Sequence, residues 1–580
     1  MVSSSEVKSS EEIYKKYIEP RIWMKNYDKD VPRTLEIPRK PLFSILDETA
    51  EKFPKRTAVI FFGKKIKYAD LRRMVDIFAR ALYERWGVSK GDKVTLLLPN
   101  SPQFIIAYYG VIKTGATVSP ANPLYTPREL EYHIKKSESR IIVALNLFRD
   151  TVETVAKSTN IEAVIYTGIE DFLPFIARLV YKLRTKIPQI KYDNKTRLKM
   201  IDLLAQYEPS PPKVSIDPVE DVAALMFTGG TTGIPKAAML THYNIIANVY
   251  QIDAWWKPGR RGEDTLVAVL PWFHIYGQTA VLHLGILRAA TLLVYPRFDL
   301  ERVMKDIEKY KANVFHGVPT IYSMIVNHPK VTKFNLKSLE VCISGAAPLP
   351  VAVAERFEKL TGARLREGYG LTETSPVTHV NPIYGKYKPG SIGLPIPETL
   401  AAIADLEKPE LLPPGEIGEL VISGPQVMKG YYKMPEENEK VFFECCGRRW
   451  LRTGDVARMD EEGYFYIVER AKDIIKYKGY SVFPREIEEV LYKHECVAEA
   501  AVIGVPDPVV GELIKAFVVL KPECRGKVTD KDIIDYARKN LAPYKVPKEI
   551  EFRESLPKSA AGKILRRVLR EEELKKRGIS

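Results

Sequence analysis

The sequence predicts an α/β protein in which a large N-terminal region with parallel sheets and a β-rich subdomain precedes a small α+β C-terminal domain. Three observations carry this. Short apolar runs (Lys93 to Leu98, Arg140 to Ala144, Ala163 to Thr167, Leu266 to Leu270, Leu292 to Tyr295, Leu339 to Ile343) alternate with helical stretches, the pattern of parallel strands joined by helices. From Glu416 to Ser423 the pattern shifts to hairpins, ending in GYFYIVER (Gly463 to Arg470), whose alternating polarity suits an antiparallel sheet. Beyond it come a helix start at Pro484 to Tyr492, strands at Ala498 to Val502 and Lys515 to Leu520, a helix at Asp530 to Lys539 and a strand at Glu549 to Phe552. That is enough for an independent domain, so the boundaries are placed at 1–470 and 471–580.

A chain of 580 residues exceeds what one hydrophobic core serves, and its 45% hydrophobic and 28% charged residues match a soluble globular protein. No apolar run reaches the roughly 18 to 20 residues of a membrane span, and Met1 to Glu12 lacks a signal peptide's apolar core. A cytoplasmic location is expected. The five cysteines are odd in number, lack Cys-x-x-Cys spacing and include the adjacent Cys445 and Cys446, so they read as reduced thiols. A net charge of +15 suits nucleic acid, an anionic membrane or anionic substrates, but no nucleic-acid motif accompanies it, and nucleic acid is not expected. Only six Gln stand amid many Lys and Glu, a composition similar to that of heat-adapted proteins.

The most informative stretch is TGGTTGIPK, Thr228 to Lys236. Gly229, Gly230 and Gly233 let backbone N–H groups converge on an anion, Thr228, Thr231 and Thr232 add hydroxyl donors, and Lys236 adds charge. An apolar run (Val222 to Phe227) precedes it and a helical run (Asn244 to Tyr250) follows, the strand, loop and helix that usually seat a nucleotide phosphate. It is not a Walker A loop, because Ile234 and Pro235 separate Gly233 from Lys236.

Downstream follow SGAAPLP (Ser344 to Pro350), EGYGLTET (Glu367 to Thr374), RTGD (Arg452 to Asp455), ERAKDIIKYKGY (Glu469 to Tyr480) and PKSAAGKILRR (Pro557 to Arg567). In order, spacing and wording these resemble the signature blocks of the adenylate-forming enzymes: acyl-CoA synthetases, luciferases and adenylation domains of peptide synthetases. Within that superfamily NPLYTPREL (Asn122 to Leu130), PWFHIYG (Pro271 to Gly277), GSIGLP (Gly390 to Pro395) and GPQVMKGYY (Gly424 to Tyr432) are most similar to the long-chain fatty acid CoA ligases.

The resemblance implies that ATP and Mg2+ activate a medium- or long-chain fatty acid to an acyl-adenylate, and that CoA then takes the acyl group. It further implies that the loop from Thr228 to Lys236 grips the β- and γ-phosphates, that Glu373 holds the metal and that Thr372 donates toward the α-phosphate. Adenine lies between Gly345, Ala346, Ala347 and Pro348 on one face and Tyr369 on the other, with Glu367, Gly368, Gly370 and Ile467 around the nucleotide. Asp455 and Arg470 take the ribose, and Lys563 bridges the substrate carboxylate and α-phosphate. Lys558, Arg566 and Arg567 leave a plain solvated basic run as the alternative around that lysine. By the same resemblance Lys478, Gly479 and Tyr480 line the pantetheine tunnel, and Lys472 is the hinge of a mobile C-terminal domain. Trp272, His274, Tyr276 and Gly277 border the acyl tunnel; PWFHIYG has no Asp to pair with an amine, so a plain carboxylic acid is expected. A monomer or homodimer is expected.

Coumarate-type aryl-acid ligases and luciferases share these blocks, whereas a catalytically silent lipid-binding relative would lack Lys563 or Glu373. One segment stands apart: residues 172–192, FLPFIARLVYKLRTKIPQIKY. If helical, Phe175, Ile176, Leu179, Val180 and Leu183 share one face and Arg178, Lys182 and Lys186 another. That pattern fits a helix packed on its own domain or one in peripheral contact with a membrane.

Overall fold

Ala163–Thr167 (AVIYT) is buried along its whole length: parallel neighbours, Ile141–Leu145 and Arg197–Lys199, pair with both its edges, and both its faces are covered. The other apolar runs behave alike. In the computed structural model they fall at Lys93–Leu97, Ile141–Leu145, Thr265–Ala268, Thr291–Val294 and Val341–Ser344, within one or two residues of their predicted ends. The structure describes residues 9–228, 235–256, 261–470, 473–478, 480–558 and 564–578. The predicted site residues Gly229, Gly230, Thr231, Thr232, Gly233, Lys472, Gly479 and Lys563 lie outside them.

The chain forms two compact units. The larger comprises Trp23–Leu400 with Ser423–Phe442. It holds a nine-stranded sheet whose central strands, from Thr57–Phe61 across to Arg364–Gly370, are parallel, with antiparallel strands at both edges. An eight-stranded sheet runs from Gly430–Tyr431 through Lys236–Thr241, Val222–Thr228, Thr117–Pro120 and Lys93–Leu97 to Arg197–Lys199. Helices start where their caps dictate: Thr126 and Glu129 form a reciprocal capping box ahead of Pro127–Ser137, with Pro127 in the first turn. Leu293, Phe315, Tyr322, Phe357 and Leu365 form part of one core of this unit.

The smaller unit comprises residues 1–22, Ala401–Ile422 and Phe443–Ser580. A six-stranded antiparallel sheet is built on the long strand Arg448–Met459, with Phe465–Arg470 paired along it. A five-stranded sheet centres on Gly511–Leu520, paired antiparallel with Val497–Asp507 and parallel with Glu549–Phe552. Pro484–Tyr492 and Asp530–Asn540 are helices, as predicted, and Ile487, Leu491 and Ile533 bury against Val502 and Val518.

One expectation and one alternative are corrected here. Cys496 and Cys524 form a disulfide, with 5.5 Å between their Cα atoms, so not all cysteines are reduced. The spacing rule misses it because the fold, not a local motif, brings the ends of two paired strands together. Arg566 is likewise not part of a solvated run. Its guanidinium is tied to Glu469 and Glu488 at 2.5 Å each and to Asp473 at 3.3 Å. Burial pulls its pKa down, but Glu488 and Glu469 outweigh it and hold the group above its ordinary value. Arg566→Met is expected to destabilise the smaller unit by about 3 kcal/mol, since three carboxylates lose their shared cation; thermal unfolding of the variant checks this.

Candidate active site

Thr228 closes the strand Val222–Thr228 and Lys236 opens Lys236–Thr241, and the two strands pair antiparallel with Thr228 opposite Lys236. The strands on either side of the predicted phosphate loop therefore form an antiparallel pair. This corrects the expected strand, loop and helix layout: KAAMLT is a largely buried strand, and the helix begins only at His242, where Thr241 Oγ1 accepts from Asn244 N at 3.1 Å. Among the described residues the loop is followed by a strand and not by a helix N-terminus, so no helix dipole is available there to an anion.

Lys236 and Glu373, far apart in sequence, meet at one residue to which sequence reading assigned no role. The Tyr431 hydroxyl donates to Glu373 Oε1 at 2.7 Å, and Lys236 Nζ stands 5.1 Å from the Tyr431 ring centre. Pairing of Gly430–Tyr431 with Ala238 and Met239 fixes this arrangement. Burial and then the Glu373 carboxylate push the Tyr431 phenol well above its usual range, so it is a fixed donor at neutral pH. Lys236 also pairs with Glu437, whose carboxyl is lowered first by that bond and then by Lys440. Tyr431 lies inside the quoted GPQVMKGYY block and Glu437 just past it, yet no spacing signal says which distant residue each touches.

Glu373 sits in a single 3-10 turn, Thr372–Thr374, directly after the strand Arg364–Gly370. Met428 N donates to its backbone oxygen at 2.8 Å. The chain doubles back so sharply that a Cβ on Gly370 would lie 2.0 Å from Pro376 O; only glycine lets this turn present Thr372 and Glu373. Among the described residues no cluster of three or more His, Cys, Asp or Glu is placed to hold a metal by itself. A lone carboxylate still fits Mg2+, which ordinarily takes one or two protein carboxylates and completes its shell from phosphates and water.

The predicted adenine and acyl segments also converge. Gly345 follows the strand Val341–Ser344, and a Cβ there would meet the Tyr276 ring at 2.9 Å, so the ring packs close against bare backbone. The Tyr276 hydroxyl donates to Ile343 O at 3.2 Å. Ala346 takes a left-handed φ of +69° ahead of Ala347 and Pro348. Glu367 is buried and its Oε2 accepts from Leu349 N at 3.3 Å; Gly368 pairs with Val380, and the Tyr369 ring meets His379 edge-on at 6.0 Å. His274 caps the short helix Ile275–Gly277 through Nδ1. Trp272 is fully buried, its ring 5.7 Å from Phe104, and its backbone N–H donates to Asn100 Oδ1 at 2.8 Å.

Asp455, Ile467 and Arg470 belong to the smaller unit. Asp455 is buried in Arg448–Met459 and stands opposite Arg470 in the antiparallel register, with Ile467 opposite Ala457. Glu419, which sequence reasoning missed, shapes RTGD: it accepts from Gly454 N at 2.8 Å and from Arg452 Nη1 at 2.6 Å. Lys478 has φ +50° at the tip of the hairpin formed by Ile475–Tyr477 and Tyr480–Val482, and the Tyr480 ring stacks on Tyr544 at 4.6 Å. Near Lys563 the described residues are tied by a bridge between Lys558 and Ile564 and by Leu565 N donating to Pro557 O at 2.8 Å.

Comparison with known proteins agrees across nearly the whole chain. Residues 46–432 match the AMP-binding enzyme family and residues 486–563 the AMP-binding enzyme C-terminal domain. The chain is 45% identical over 558 residues to the long-chain-fatty-acid--CoA ligase of Bacillus subtilis, covering 95% of this chain and 98% of that protein. To a probable 4-coumarate--CoA ligase of Dictyostelium discoideum it is 33% identical, covering 92% and 96%. Among solved structures, ATP-bound MatB from Rhodopseudomonas palustris is similar with a TM-score of 0.81 at 29% identity, covering 92% and 99% of the two chains. A long-chain-fatty-acid-CoA ligase from Archaeoglobus fulgidus gives 0.67 at 30% identity, covering 91% and 99%.

Proposed function

Because this chain belongs to the AMP-binding enzyme family, we propose that it is an AMP-forming long-chain fatty acid CoA ligase. The observation that supports the reading is the gathering of Lys236 and Glu373 about Tyr431, a cation and a carboxylate of the kinds that a polyphosphate and its metal call for. The name of the Bacillus subtilis relative supports the choice of acid.

In the proposed reaction the loop from Thr228 through Gly229, Gly230, Thr231, Thr232 and Gly233 to Lys236 holds the β- and γ-phosphates, and Thr372 donates to the α-phosphate. Glu373 holds Mg2+, which supplies charge neutralisation on the phosphates when bound. Gly345 to Pro348 and Tyr369 flank adenine, and Asp455 and Arg470 take the ribose. A carboxylate oxygen of the acid attacks the α-phosphorus and pyrophosphate leaves; Lys563 stabilises the charge shared between carboxylate and phosphate. In the second step the CoA thiol, guided past Lys478, Gly479 and Tyr480, loses its proton to water and attacks the acyl carbonyl, and the C–O bond to AMP breaks as AMP leaves. Residues 471–580 pivot about Lys472 between the two steps.

Pyrophosphate release measured across acids from acetate to palmitate, with cinnamate alongside, tests the reading. Each added methylene should raise kcat/KM roughly fourfold, about 0.8 kcal/mol, until the tunnel is full. A maximum at acetate overturns the choice of acid. A maximum at cinnamate establishes the second reading, an aryl-acid ligase, which the Dictyostelium discoideum likeness favours.

A further inference from the structure

The helix Phe175–Arg184 presents to solvent the face that a globular protein normally hides. None of its residues is buried, and Phe175, Ile176, Leu179, Val180 and Leu183 are between 43% and 87% exposed. At 100° per residue these five occupy one contiguous face. The opposite face turns toward the protein: Arg178 Nη2 donates to Asp171 O at 3.2 Å, and Ala177 and Tyr181 are half-buried. The packed amphipathic helix allowed by the sequence is therefore not what forms, because Phe172 and Leu173, both buried, already anchor the segment and Pro174 starts the helix beyond them.

Its charge pattern says what covers this face. Residues 172–192 hold five basic side chains, Arg178, Lys182, Arg184, Lys186 and Lys191, and no acidic one. Lys182 and Arg184 lie on opposite edges of the apolar stripe, and both are exposed. Cations on either side of a shallow apolar stripe match lipid phosphates above acyl chains, whereas a protein groove would call for charges of mixed sign. No described helix is long and apolar enough to cross a membrane, so contact here is with a surface.

We propose that the helix Phe175–Arg184 docks in the plane of an anionic lipid bilayer, its apolar face in the acyl boundary and Lys182 and Arg184 among the phosphates. This stands on the helix alone and does not depend on the reaction proposed above.

Co-sedimentation with vesicles tests it. The full-length protein should bind vesicles of phosphatidylcholine mixed with phosphatidylglycerol and should bind phosphatidylcholine alone at least about tenfold more weakly. Leu179→Glu with Leu183→Glu should lower binding more than about tenfold, and Lys182→Glu with Arg184→Glu about tenfold at low salt. A tryptophan reporter, Leu183→Trp, should shift its emission to the blue on the mixed vesicles. The proposal is overturned if the protein ignores the mixed vesicles, if the Leu179/Leu183 variant binds as well as the parent, or if the reporter stays in water. It is equally overturned if sedimentation velocity finds a dimer that the Leu179/Leu183 variant dissociates while vesicles are not bound; a second copy is then the occupant.

Discussion

Lys563→Ala is expected to abolish acyl-adenylate formation while leaving the conversion of presynthesised acyl-adenylate and CoA to acyl-CoA near the parent rate. In the first half-reaction two anions must approach, and a lysine that bridges the carboxylate and α-phosphate acts most strongly where their charge is shared, in the transition state. Removing one such preorganised donor costs on the order of 100-fold or more in rate, about 3 kcal/mol. Thioester formation creates no new charge between carboxylate and phosphate. The lysine also falls at the end of the C-terminal family match, residues 486–563, apart from Glu373 and Lys236 in residues 46–432. Equal loss of both half-reactions in stopped assays would show that Lys563 serves the whole cycle or the fold.

Glu373→Gln carries the second large effect. The amide keeps the shape but loses the charge that holds Mg2+, and pyrophosphate release should fall on the order of 100-fold. Tyr431→Phe separates metal placement from structure, because it removes a single hydroxyl whose bond to Glu373 Oε1 is 2.7 Å. A hydrogen bond to a charged acceptor is worth about 1.5 to 3 kcal/mol, so the Mg2+ concentration for half-maximal rate should rise by roughly tenfold or more. The rate at saturating Mg2+ should largely recover. If Tyr431→Phe instead lowers that saturating rate and leaves the Mg2+ dependence alone, the hydroxyl does not act through Glu373.

What was legible in the sequence was what repeats locally. Buried β-branched runs such as Ala163–Thr167 announce parallel strands because both faces are covered, and the alternation in Gly463 to Arg470 announces an antiparallel edge. The resemblance of the motif blocks then named residues for roles that periodicity cannot assign. What escaped depends on contacts across long separations. KAAMLT is short and lies between a loop and a helix, so its sequence does not announce a strand, although it pairs antiparallel with Val222–Thr228. Tyr431 meets Glu373, Glu437 meets Lys236 and Glu419 shapes RTGD only once the sheets form. The orientation of Phe175–Arg184 was open for a related reason: amphipathic spacing says that a helix has two faces, not which one meets the protein.

The most direct test of the account follows one oxygen atom. With palmitate labelled at both carboxylate oxygens by 18O, and with ATP, Mg2+ and CoA, the AMP produced should carry one labelled oxygen and the palmitoyl-CoA the other. That result requires attack of the carboxylate on the α-phosphorus, with the transferred oxygen leaving on AMP when the thiol displaces it. Label in inorganic phosphate with ADP as the nucleotide product, or unlabelled AMP beside palmitoyl-CoA, would contradict adenylate formation and with it the roles proposed for Lys236, Glu373 and Lys563.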